Sequence, residues 1–114
     1  MKDARAKSKN DLLPGTLEML ILKTLSIAPM HGYGIAQHIQ MLSADVLTVE
    51  EGSLYPALQR MLVKGWVLAE WKVSANNRRA RFYKLTAAGR KQLGVEESRF
   101  AAIFAAITRV MKTT

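Results

Sequence analysis

The chain contains no cysteine, which excludes disulfides, a thiolate nucleophile and any cysteine-bearing zinc site. A reducing compartment fits that absence without being required by it. Its two histidines, His31 and His38, have no further histidine or cysteine at ligand spacing, so they read as turn and surface residues. No metal and no cofactor is expected. Carboxylates are scarce as well, nine against 17 Lys and Arg. They are scattered, with no acid–base pair, no nucleophile beside a base and no phosphate-cradling glycine loop, so an enzyme is not expected. Long apolar runs are missing too. The longest, Phe100 to Ile107, falls far short of the roughly 20 residues a membrane span needs. The first residues carry charge where a signal peptide would need an apolar stretch. The expectation is a cytoplasmic protein with no membrane attachment.

What is present suits one folded domain. Hydrophobic residues make up 49% and charged residues 23% of 114 positions, an ordinary globular balance. The formal net charge of +8 and pI near 10.1 imply a polyanionic partner, either nucleic acid or an anionic membrane surface. The alternative is a merely solvated basic surface. A membrane-surface helix fits poorly, because the basic stretch Arg78 to Lys91 is broken by strand-like and glycine-containing sequence.

Residues 1–11 alternate charge with small polar residues and read as a mobile basic arm. From Thr16 to Ala28 the apolar residues Leu17, Met19, Leu20, Ile21, Leu22, Leu25 and Ile27 cover more than one helical face, with Thr16 as the cap and Pro29 as the stop. A second helix carries Ile35, Ala36, Ile39 and Leu42 on one side. A third follows Thr48 to Ser53, a stretch with two possible caps. Pro56 is tolerated only in a first turn, which predicts regular helix from near Ser53. Leu54, Leu58, Met61 and Leu62 then face the core and leave Ser53, Pro56, Gln59, Arg60 and Lys64 outside. Gly65 closes it.

Two segments rich in aromatic and β-branched residues come next, Trp66 to Val73 and Arg81 to Leu85, joined by a long basic tip from Ser74 to Arg79. After Thr86 the pattern is helical again to about Met111, roughly 38 Å at 1.5 Å per residue. The predicted architecture is mainly α with a small β-hairpin wing: a winged helix-turn-helix over residues 12–86 and a C-terminal dimerisation helix over 87–114. In such an arrangement the third helix enters the major groove of double-stranded DNA, and the basic hairpin carries backbone contacts.

Four motifs resemble the PadR-like regulators. Leu12-Leu13-Pro14-Gly15-Thr16-Leu17-Glu18-Met19-Leu20-Ile21-Leu22 looks like their opening, and His31-Gly32-Tyr33-Gly34-Ile35 like the start of their second helix. Glu51-Gly52-Ser53-Leu54-Tyr55-Pro56-Ala57-Leu58 resembles the recognition helix, and Asn77-Arg78-Arg79-Ala80-Arg81-Phe82-Tyr83-Lys84-Leu85-Thr86-Ala87-Ala88-Gly89 the wing and its exit. Where many relatives have charge after the arginine of the recognition helix, this chain has Met61-Leu62-Val63. The resemblance implies a transcriptional repressor that dimerises through its last helix and is often released from DNA by a small molecule or stress signal.

The residues expected to meet DNA are Ser53, Tyr55, Pro56, Gln59 and Arg60 on the helix and Asn77, Arg78, Arg79 and Arg81 on the wing. Tyr55 has two readings, a phosphate contact through its hydroxyl or a ring packed beneath the wing. Ser53 is a contact, a cap or both. Trp66 and Trp71 read most simply as packing. Leu20, Leu93, Phe100, Ile103, Phe104, Ile107 and Met111 are expected to form a dimer seam, with a seam against the chain's own first helix open beside it. A two-fold dimer would require an inverted-repeat operator. The rival reading is a winged-helix ligand-sensing or protein-interaction module without DNA binding.

Overall fold

A computed structural model describes residues 15–73 and 75–113. The basic arm expected over residues 1–11 lies outside the described residues. The elements run α1 (Thr16–Leu25), β1 (Met30–His31), α2 (Gly32–Leu42), α3 (Glu51–Val63), β2 (Val67–Val73), β3 (Arg79–Leu85) and α4 (Ala87–Met111).

α1 starts from Gly15 at φ 88°, so Thr16 is its first helical residue and not its cap. It ends at Leu25, three residues earlier than the apolar pattern suggested. There the Ile27 N–H turns back to Thr24 O at 3.1 Å, and the Ser26 hydroxyl donates to Lys23 O at 2.6 Å. The last turn has tightened to the i→i+3 pattern, which does not propagate. α2 is capped by His31, whose Nδ1 accepts from the Gly34 N–H at 2.9 Å.

α3 begins at Glu51, two residues before the predicted start. The Ser53 and Leu54 N–H groups both donate to Glu50 O, at 3.0 and 2.9 Å, which closes the first turn without a side-chain cap. Ser53 is therefore not the cap. Pro56 lies inside the helix; the bond it removes would have gone to the carbonyl of Gly52, and Gly52 is exposed to water. At the other end Gly65 adopts φ 76° while the Trp66 N–H reaches Met61 O and the Gly65 N–H reaches Leu62 O. These are the two bonds of a Schellman stop, and the left-handed glycine makes it strain-free.

The sheet has the order β1-β3-β2, all antiparallel. β1 was not foreseen, because two residues are too few to show alternation. β3 begins at Arg79, two residues before the predicted Arg81, so the tip is shorter than expected. It turns through Asn77 at φ 62°, a left-handed position that asparagine tolerates better than most residues. From Val67↔Leu85 to Val73↔Arg79 the register is unbroken.

Ile21, Leu22, Ile35, Leu54, Leu58, Met61 and Val67 are fully buried, joined by Leu25, Ile39, Tyr83, Leu85 and Leu93. α1 lies at the centre, packed on α2, α3, β3 and α4. The fold thus covers much of a helix whose apolar residues span more than one face. α4 runs out along the start of α1, with Glu96, Arg99, Phe100 and Ile103 beside Gly15, Thr16 and Met19. Thr86 caps it by accepting from the Gly89 N–H at 2.9 Å, and after Leu93 none of its described residues is buried.

Candidate nucleic-acid interface

The exposed side of α3 follows from its buried side. Leu54, Ala57, Leu58 and Met61 are fixed in the core, and helical spacing then leaves Ser53, Tyr55, Pro56, Gln59 and Arg60 outward. Tyr55 is the most constrained of them. Its ring lies over the backbone of Gly32, so close that a methyl group at Gly32 would sit 2.5 Å from the hydroxyl oxygen. The ring thus packs at the start of α2, while 42% of the residue stays exposed. Burial, then the Glu51 charge, then Tyr83, push its phenol above the ordinary range.

The wing meets this helix through a change of environment along one sheet face. Val67, Ala69, Trp71 and Val73 pair with Leu85, Tyr83, Arg81 and Arg79, and directly opposed residues share a face. At the base of the hairpin that face is core. At the tip it is exposed, with Trp71 59% accessible and the Arg79 guanidinium 4.9 Å above the Trp71 ring. Arg81 lies 5.9 Å over Tyr83. The face opens into a cleft of about 610 Å³ lined by Tyr33, Tyr55, Trp71, Arg78, Arg79 and Arg81, among others.

The structure thus brings Tyr55 together with Arg78, Arg79 and Arg81. Ser53, Pro56, Gln59 and Arg60 lie on the open flank of α3 and do not line the cleft; Asn77 forms the turn, and its neighbour Asn76 reaches the cleft instead. Arg60 is engaged inside the chain, its Nε–H donating to Glu18 Oε2 at 2.8 Å. Trp71 and Tyr33 were missed as site residues. The period-two pattern carried the signal for Trp71, since it shares parity with the core residues Val67 and Ala69 yet lies beyond the end of the core.

The expected dimer seam divides. Phe100, Ile103, Phe104, Ile107 and Met111 are all exposed, by 43 to 76%, and the Phe100 and Phe104 rings stack at 6.0 Å. Leu93 was expected with them but is buried in the chain's own core, because it stands within two turns of the point where α4 is still held against the body. Leu20 is half-buried against that same core. Among the described residues no group of three or more His, Cys, Asp or Glu could hold a metal ion, and no helix is long and apolar enough to cross a membrane.

Helices α1 to α3, with a small sheet whose hairpin flanks α3, define a winged helix-turn-helix. Residues 21–95 match the transcriptional regulator PadR-like family, and the chain belongs to that family of regulators, not enzymes. Solved structures share the fold. A transcriptional regulator from Clostridium thermocellum superposes with a TM-score of 0.79 at 21% identity, over 86% of this chain and 95% of that one. A PadR family transcriptional regulator from Eggerthella lenta gives 0.77 at 24% identity, over 98% and 96%. A PadR-like transcriptional regulator from Bacillus cereus gives 0.74 at 24%, over 88% and 95%. An uncharacterized protein of Lysinibacillus sphaericus is 25% identical over 85 residues, 75% of this chain and 78% of that protein.

Proposed function

We propose that the protein is a sequence-specific regulator that binds double-stranded DNA as a homodimer at an inverted-repeat operator. The observation that carries this reading is the cleft between the wing, the start of α2 and Tyr55 of α3, which three arginines line beside the exposed flank of α3. The arginines supply phosphate contacts, and the outward residues of α3, Ser53, Pro56 and Gln59 foremost, meet base edges. Arg79 held over Trp71 adds order to a cation that would otherwise lose side-chain freedom on binding. The bare apolar stripe of α4 supports the dimer, since a two-fold seam buries the same patch from each protomer. Repression in the cytoplasm, with release by a small-molecule or stress signal, is the mode that membership in the family favours. The rival module without DNA binding has no use for the stretch Arg78 to Lys91, which holds six Lys or Arg and no carboxylate.

The test is selection of bound duplexes from a random pool, followed by titration of the winner against salt. A dimer neutralising about 6 to 10 phosphates gives a log–log slope of roughly −5 to −9. Failure to enrich any sequence, or affinity indifferent to salt, overturns the reading.

A further inference from the structure

The ion pair between Arg60 and Glu18 joins residues 42 positions apart in sequence and ties the recognition helix to the central helix of the core. The two partners are unequally placed. The Glu18 side chain is only 14% exposed, whereas that of Arg60 is 56% exposed. A carboxylate so nearly enclosed is costly to leave without its counter-charge, so approach of another anion does not readily draw Arg60 away from it. A guanidinium has five N–H groups in a rigid planar fork. Glu18 takes the one on Nε, and among the described residues nothing accepts from the two terminal nitrogens. These are the parallel pair that matches O6 and N7 of a guanine.

We propose that Glu18 is a positioning residue for base recognition: by holding Arg60 through Nε, it leaves the terminal N–H pair as the edge offered to the major groove. This rests on the DNA-binding reading above. Without Glu18 the arginine would sample many rotamers, and would turn to whichever phosphate lay nearest as readily as to a base. Glu18 itself touches no nucleic acid. It acts on specificity from inside the protein.

The experiment runs the duplex selection on wild type, Glu18→Gln, Glu18→Ala, Arg60→Ala and the Glu18→Ala/Arg60→Ala pair, with a thermal melt of each. Arg60→Ala should lose discrimination at one base pair per half-site, by about 5- to 150-fold. Glu18→Ala should relax the same base pair and no other, and the double variant should match Arg60→Ala, as expected when one residue acts only through the other. Glu18→Gln retains an acceptor for Nε–H and should fall between, which keeps the test decisive if the alanine variant folds poorly. Lower melting temperatures with an unchanged selected sequence in both Glu18 variants would show a purely structural ion pair and overturn the inference. Additive losses in the double variant would overturn it as well. A wild type that enriches no sequence removes the DNA-binding reading, and this inference with it.

Discussion

Two glycines in α4 should respond in opposite directions to the same substitution. Gly89 and Gly94 are both helical, and replacing glycine by alanine in a helix interior is worth about 1 kcal/mol of stability from backbone entropy alone. Their surroundings differ. A Cβ at Gly94 meets nothing within 4 Å, whereas a Cβ at Gly89 would stand 2.1 Å from the carbonyl oxygen of Trp66 and 2.7 Å from Cδ1 of Leu85. The leucine methyl can rotate away. The carbonyl is held, because it accepts the Thr86 N–H at 3.0 Å and lies 3.0 Å from the Thr86 hydroxyl. Relief therefore requires α4 to shift by about 1 Å from the start of β2, an overpacking cost of about 1–3 kcal/mol, with about 1 kcal/mol more for the weakened hydrogen bond. Against a helix gain of about 1 kcal/mol, Gly89→Ala should destabilise by about 2 kcal/mol and Gly94→Ala should stabilise by about 1. For a chain this size each kcal/mol is about 4 °C, so the two melting temperatures should move about 8 °C down and about 4 °C up. Circular dichroism melts at one fixed chain concentration would show it, the concentration mattering because the proposed dimer would melt by mass action. If both variants moved the same way, the account of the α4 junction would be wrong.

Charging the α4 stripe by Phe104→Glu with Ile107→Glu should give monomers by light scattering and remove most operator affinity, since one half-site contributes too little to outcompete bulk DNA; an unchanged mass for the variant would refute the seam. Arg78→Ala with Arg79→Ala should weaken all duplexes alike and flatten the salt slope by up to about 2 per protomer, whereas Gln59→Ala should change the preferred bases at about 1–3 kcal/mol per lost contact. A selection in which these two outcomes were exchanged would reverse the roles given to wing and helix. Tyr55 also makes stability depend on alkaline pH. Its phenol is raised in the fold, by burial first and then by Glu51 and Tyr83, so its contribution is fully present below the phenol range of the unfolded chain and is lost as pH rises through the folded value. Tyr55→Phe should flatten that limb of a stability–pH curve, and identical limbs for the two proteins would contradict the assignment.

Much of this fold could be read from spacing. The outward set on α3 follows from Leu54, Leu58 and Met61 by helical geometry alone, Gly65 closes that helix where its chemistry suggested, and the last helix starts directly after Thr86 as its pattern suggested. Errors gathered where a local rule met a distant contact. Pro56 argued for a later helix start, but the helix begins at Glu51, and Gly52, whose carbonyl Pro56 leaves without a partner in the helix, is an exposed residue. Leu93 keeps heptad step with Phe100, yet Leu93 sits in the core whereas Phe100 and Ile103 only border the first turn of α1 beside Thr16 and Met19, and periodicity does not record which part of the body a helix runs against. The pairing of Glu18 with Arg60 depends on how α1 and α3 cross, which neither segment encodes by itself. Of the candidate site, the arginines on a hairpin were legible; the cleft they line with Trp71 and Tyr55 was not.

The unbroken ladder from Val67↔Leu85 to Val73↔Arg79 makes the hairpin a stiff lever whose fulcrum is the hydrophobic core. Six residue steps at about 3.3 Å place Arg79 about 20 Å from the buried base. A tilt of about 10° at Val67 or Leu85 would then carry the arginine about 3.5 Å, more than the tolerance of a hydrogen bond to a phosphate oxygen. Substitutions that only loosen the fulcrum should therefore be felt as misalignment at the tip before they are felt as unfolding, and the mechanical tolerance of the wing is set by residues that never leave the protein interior.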